Sequence, residues 1–328
     1  FTEAYPDFDI EAVCAHARSK GVQLIGHHET GGNAFHYEQQ LEPAMALYER
    51  LGVHSVKTGY VADAQGARVA GPDGQMVMAW HESKAMAQHH MKVVEAGARH
   101  KVAINAHEPF KDTGLRRTYP NIISREGQRG MEYSAWGNPG NPPEHEPNLV
   151  FTRLLAGPMD YTPGIFGMET RSPGGVQTTW AKQLALYVVI YSPIQMAADL
   201  LVNYEANPGP FQFIKDVPVD WAETRVLAAE MGDYVAIARK DRASDVWALG
   251  AITDEHPRVL KAPLDFLDPG RRYRAEIYRD GPDADYRGKR EDIVIEQHEV
   301  TSADTLTLAL APGGGQAIRF VPFGRGRR

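Results

Sequence analysis

Over its first 200 residues the sequence alternates short apolar runs that end in polar residues with capped stretches of helical pattern. No other feature limits the fold as much. Asp9 is a fair N-cap for a helix that stops at Gly21, and the run 22-VQLIGHHET-30 follows. A second helical stretch from Glu38 to Leu51 ends at Gly52, before the strand-like 53-VHSVKTGYV-61. A long helix is predicted from Gln75 to Ala98, then strands at 101-KVAINAHE-108 and, more weakly, 120-PNIIS-124. The run 155-LAGPMDYTPG-164 reads as another strand end, and a helix is predicted over 176–200. Such β-α alternation calls for a parallel sheet.

An open doubly wound sheet and a closed barrel both satisfy alternation. Polar residues at several successive strand ends favour the barrel: His27, His28 and Glu29, then Lys57, then Asn105, His107 and Glu108, then Asp160. In a (β/α)8 barrel many strand ends converge on one face, whereas an open sheet gathers its ligand at one switch point. Only five or six strands are legible, so a TIM-type barrel lacking its first strands is expected. The start at Phe1, without an initiator methionine or signal segment, reads as the middle of a longer protein.

The pattern changes near 203-NYEANPGPFQF-213. Beyond it, alternating runs recur at 233–240, 246–253, 272–281, 292–300, 304–315 and 316–322, each bounded by turn residues. That is the signature of an antiparallel β-sandwich. The expected division is a catalytic barrel over 1–215 and a C-terminal β-sandwich over 216–328. With 42 acidic and 35 basic residues, the net charge of -7 speaks against a nucleic-acid surface. The single cysteine, Cys14, excludes an internal disulfide. The longest apolar run, 184-LALYVVIYSPI-194, is too short to span a bilayer and reads as a buried helix.

Glu29 and Glu108 each follow a histidine at a strand end, and Glu126 and Glu132 follow in a Gly- and Arg-rich segment. Close carboxylates repel, so gathering them requires a metal or a split in pKa. Glycosidic hydrolysis uses such a pair: one carboxyl protonates the leaving oxygen while another activates water or attacks. Several carboxylate oxygens also suit Ca²⁺. The plainer readings are surface charges for the glutamates, hydrogen-bonded structural roles for His27, His28 and His107, and a turn-forming role for Asp160. HHE lacks the i,i+4 spacing of a helical zinc site, and it lacks the His-x-His pair of an amidohydrolase.

The motifs HHET, VKTGYV, NAHEP, TGLRRTYPN, SREGQRGMEY, NPPEHE, FTRLLAGPMDYTPGIF and QLALYVVIYSPIQMAADL resemble, in this order, glycoside hydrolase family 97. The likeness runs on into FQFIKDVPVDW. It implies an N-terminal β-supersandwich outside this sequence, a (β/α)8 barrel and a C-terminal sandwich. It also implies that a calcium-ligating glutamate and roughly the first two strands lie in the absent part. Retaining members of the family carry a nucleophilic aspartate where VKTGYV has Gly59, so the resemblance implies the inverting α-glucosidase branch, acting on starch-derived oligosaccharides. By the same comparison Glu132 falls on the general acid and Glu29 and Glu108 on the base. Glu108, Glu126 and Glu132 fall on calcium ligands, and His27, Lys57 and His107 on sugar contacts. A donor beside Ca²⁺ then needs burial or neighbouring carboxylates to keep its proton. A retaining α-galactosidase of the same family and an inactive carbohydrate-binding protein are the alternatives. The periplasm or the outside of a bacterium is the location the family suggests.

Overall fold

The computed structural model describes residues 1–62 and 66–324. They form two compact units, one of Phe1–Gly127 with Ala156–Asp160, the other of Gln128–Leu155 with Tyr161–Arg328.

The first unit is a (β/α) barrel segment. It runs α1 (Ile10–Ser19), β1 (Gly26–Glu29), α2 (Ala34–Leu51), β2 (Ser55–Gly59), β3 (Ala67–Ala70), β4 (Met76–Ala79), α3 (Lys84–Arg99), β5 (Ala103–Ala106) and β6 (Ile122–Arg125). Four strands form a parallel sheet in the order β1-β2-β5-β6, with His27 opposite Lys57 and Lys57 opposite Asn105. Helix starts are set by side chains that accept orphan N–H groups: Asp9 from Ala12, Asn33 from His36, Ser83 from Met86. Gly52 ends α2 in the left-handed region, which costs a glycine nothing. Tyr37, Met45, Val56, Tyr60, Met86, Val93 and Ile104 form the buried core.

Two expectations over this stretch need correction. The helix predicted from Gln75 begins only at Lys84. Met76–Ala79 instead pairs antiparallel with Ala67–Ala70, and Gly74, at φ 78°, supplies the turn between them. The apolar run is real, but a hairpin partner takes it before a helix can. The strand end at 155–164 forms no regular strand among the described residues. Asp160 still meets the end of β6, donating its N–H to Arg125 O at 2.9 Å.

The second unit continues with α4 (Tyr133–Trp136), α5 (His145–Phe151), α6 (Trp180–Val189), α7 (Leu201–Ala206) and α8 (Pro208–Asp216). Then come β7 (Trp221–Glu230), β8 (Tyr234–Asp241), β9 (Trp247–Thr253), β10 (Arg258–Pro263), β11 (Tyr273–Asp280), β12 (Ile293–Val300), β13 (Thr305–Leu310) and β14 (Gly315–Pro322). A six-stranded antiparallel sheet, β12-β11-β14-β9-β8-β7, faces the two-stranded sheet β10-β13. Trp247, Leu249, Ile318 and Phe320 interlock with Ala262, Leu264, Leu308 and Leu310. This is the expected β-sandwich, with β7 and β10 added to the strands read from sequence.

The helix predicted over 176–200 stops at Val189, ahead of Pro193. It lies flat on the outer face of the large sheet, buried along nearly its whole length. Two glycines allow the approach. A Cβ on Gly250 would sit 2.6 Å from Ala185 O, and one on Gly315 would sit 2.7 Å from Lys182 Cα. The expected 215/216 boundary therefore falls inside this unit, where α6 and the sandwich share one packed interface.

Candidate active site

The pleat of β1 decides which of its polar residues face the site. His27 and Glu29 are exposed, while His28 between them is buried. His28 Nδ1 bonds Tyr37 Oη at 2.8 Å and its ring stacks on Tyr48. Burial pushes it down to about 3, with a smaller contribution from His27. His28 is thus a core residue, and the plainer reading holds for it. His27 pairs in register with Lys57. Partial burial lowers its pKa first and the Lys57 charge lowers it further, against a raising effect from Glu29.

Glu29 and Gly59 are partners in the β1–β2 ladder. Gly59 is buried and extended, and a Cβ built on it would overlap the Glu29 carboxylate. The space a side chain at position 59 would take is therefore filled by the carboxyl group of Glu29. That group is held by two backbone donors, Gly31 N–H at 2.9 Å and Val61 N–H at 3.2 Å. Its side chain remains 39% exposed. Glu108 ends the next strand at φ 42°, a left-handed conformation that costs a non-glycine residue on the order of 1 kcal/mol. Its Oε2 accepts the Tyr60 N–H at 2.8 Å. The three residues 59–61 thus serve both carboxylates: one by lacking a side chain, two by donating backbone N–H groups.

His107 is buried with both ring nitrogens facing carboxylates. Nε2 lies 2.8 Å from Asp160 Oδ2 and Nδ1 lies 3.5 Å from Glu126 Oε2. Asn105 donates to the same Asp160 oxygen at 2.6 Å. Asp160, read from sequence as site residue or turn former, proves to be the group that orients His107. Arg125 donates to Phe110 O and lies over the Phe110 ring at 4.7 Å; burial lowers its pKa.

Glu126 is buried and its Oε2 stands 3.4 Å from the Glu108 N–H. Glu108 and Glu126 together offer oxygen donors only, at the ends of adjacent strands, and that donor set fits a hard cation such as Ca²⁺. Glu132, the third residue of the expected ligand set and the expected acid, belongs to the second unit. It is exposed there, just ahead of α4. One other group of ligand-type side chains among the described residues, Asp254 with Glu255 and His256, is spoken for: Asp254 takes Arg258 at 2.9 Å and the His256 N–H at 2.9 Å.

Sequence reasoning missed Tyr60 and Val61, because they act through backbone N–H groups and any residue but proline carries one.

The sequence model described as Glycoside hydrolase 97 matches residues 1–128, and that described as Glycosyl-hydrolase 97 C-terminal, oligomerisation, matches residues 220–321. A Glycoside Hydrolase Family 97 enzyme from Pseudoalteromonas sp. strain K8, solved with acarbose, is 52% identical and superposes with a TM-score of 0.94 over 98% of this chain and 50% of its own. A variant of a family 97 enzyme from that strain, solved with panose, is 51% identical with the same TM-score and the same coverage. A retaining alpha-galactosidase of Bacteroides thetaiotaomicron is 31% identical over 96% of this chain and 45% of its own length. The chain thus spans about half the length of the relatives it matches.

Proposed function

The chain belongs to glycoside hydrolase family 97, and from that premise we propose that its full-length protein hydrolyses the α-glucosidic bonds of starch-derived oligosaccharides with inversion and with the help of calcium. The observation that carries this reading is the Glu29 carboxylate over Gly59. A retaining enzyme needs a carboxylate able to bond the anomeric carbon, and glycine offers none. The relatives solved with acarbose and panose, at 52% and 51% identity, support a glucoside better than the 31% identical retaining alpha-galactosidase supports a galactoside. Panose is itself built of α-linked glucose.

In this reading Glu29 and Glu108 activate the water. Each has one carboxylate oxygen taken by backbone N–H groups, which fixes the carboxyl group and leaves the other oxygen free of those donors. His107, turned by Asp160, and His27 with Lys57 contact sugar hydroxyls. Glu132 donates the proton to the leaving oxygen. Glu108, Glu126 and Glu132 would hold Ca²⁺, whose charge, when bound, steadies close carboxylates and substrate oxygens. The export of such an enzyme to the periplasm or beyond goes with the same reading.

Proton NMR of the full-length protein on maltose tests it. β-Glucose should be released first, before mutarotation, and chelation should reduce the rate until Ca²⁺ is restored. Initial α-glucose would overturn the inverting assignment, and an undiminished rate in verified metal-free protein would remove calcium.

A further inference from the structure

Behind the two carboxylates lies a buried side-chain chain that the reaction itself does not use. His89, on α3, is 1% exposed, with Nδ1 2.9 Å from Glu38 Oε1 and Nε2 3.0 Å from the Tyr60 hydroxyl. Glu38 is held in turn by Lys92 at 2.6 Å. An ionised Glu38 can only accept, so it takes the Nδ1–H of His89. In that tautomer Nε2 is left as acceptor, and the Tyr60 hydroxyl donates to it. Tyr60 is fully buried, and burial raises its pKa well above the usual phenol value, keeping the donor proton in place. Its carbonyl is met by His81 Nε2 at 2.9 Å. The side chain and the carbonyl of Tyr60 are therefore each tied to a histidine. Its N–H and that of Val61 meet Glu108 and Glu29, at the ends of the two strands that flank β2.

We infer that His89 is a positioning residue which, through the Tyr60 hydroxyl, fixes the 59–61 backbone and with it the separation of Glu29 and Glu108. The inference rests on the proposed base role of those two carboxylates. A group that only packs the core would affect how much enzyme is folded. A group that sets the place of two carboxylates affects the chemical step, where a misplacement near 1 Å costs up to about 10²-fold in rate.

The test uses the full-length protein with His89→Leu, His89→Gln and Tyr60→Phe. His89→Leu should lower kcat about tenfold with KM within about twofold, because uniform binding is untouched. Hydrogen exchange in the stretch 55–61 should rise at the same time. His89→Gln, which keeps an acceptor for the hydroxyl, should recover most of the rate. Tyr60→Phe, which deletes one oxygen and keeps the ring packing, should repeat the His89→Leu result even if that variant folds poorly. Rates are taken on whichever of maltose or an α-galactoside the wild type turns over. Turnover of the galactoside alone sinks the glucosidase reading, while the variants still decide the role of His89; the exchange measurement needs no substrate. Tyr60→Phe with unchanged kcat and unchanged exchange overturns the inference, as does a loss of kcat with no change in exchange at 55–61.

Discussion

The two units bury charge in opposite ways. In the second, Lys182 is fully buried between Glu146 Oε2 at 3.0 Å and the carbonyls of Pro143 and Thr253, while Tyr161 donates to the other Glu146 oxygen at 2.6 Å. Asp280 likewise accepts the Thr179 hydroxyl and the N–H groups of Ala311 and Gly315. These charges close on partners inside the unit. In the first unit Glu29 and Glu108 are each held on one side by backbone donors and keep a face toward solvent. A charge serving the fold saturates its partners, whereas a charge serving a reaction is oriented and left with lone pairs to spare.

The contrast breaks most sharply by substitution at the glutamates. Glu29→Gln and Glu108→Gln should each cost about 10² to 10⁴ in kcat, the usual scale of general acid–base work, with little change in melting temperature. Glu132→Gln should show a comparable loss only on substrates with poor leaving groups. A fall in stability matching the fall in rate would put Glu29 and Glu108 in the structural class.

Lys182→Met should do the reverse. It leaves Glu146 charged in the core and should cost about 3–5 kcal/mol of stability, read by denaturant unfolding, while kcat per folded molecule stays near wild type. A stability change within the noise would mean that Glu146 finds other partners.

Acid should act on the two units with opposite sign. Burial holds His28 down to about 3, below its ordinary 6.5, so its contribution to stability is present above about 6.5 and lost as pH falls toward 3. For Asp280 burial outweighs the three donors and raises the carboxyl to about 6 from 3.8. Its contribution is full below 3.8 and lost as pH rises through 6. Relative to wild type, His28→Phe should therefore gain stability on going from pH 6.5 to 4.5, and Asp280→Asn should lose it. Each change is a few kcal/mol at most, at about 1.4 kcal/mol per pKa unit. Two slopes of the same sign in urea unfolding at these pH values would contradict the assignment.

The smallest effect is the most specific. Gly59→Ala adds one methyl group whose neighbour is the far end of a flexible side chain, so the Glu29 carboxylate must move while the backbone need not. An about tenfold fall in kcat from a displaced carboxylate is expected, with stability nearly unchanged. Full activity would mean that Glu29 works equally well from another position.

Local pattern alone was enough to identify a parallel β/α region, an antiparallel region after it, and strand ends carrying Glu29, Lys57, His107 and Glu108, because period and punctuation are properties of neighbouring residues. It failed where a distant partner outbid local preference: Met76–Ala79 joined a hairpin instead of a helix, and β7 and β10 were settled by the strands beside them. The same limit holds at the site. That Glu29 occupies the space above Gly59, that the N–H groups of Tyr60 and Val61 grip two carboxylates, and that His89 ties Tyr60 from behind all join residues separated by about 30 to 50 positions. Such pairings are decided by strand register and helix packing, which the pattern of any one segment does not contain.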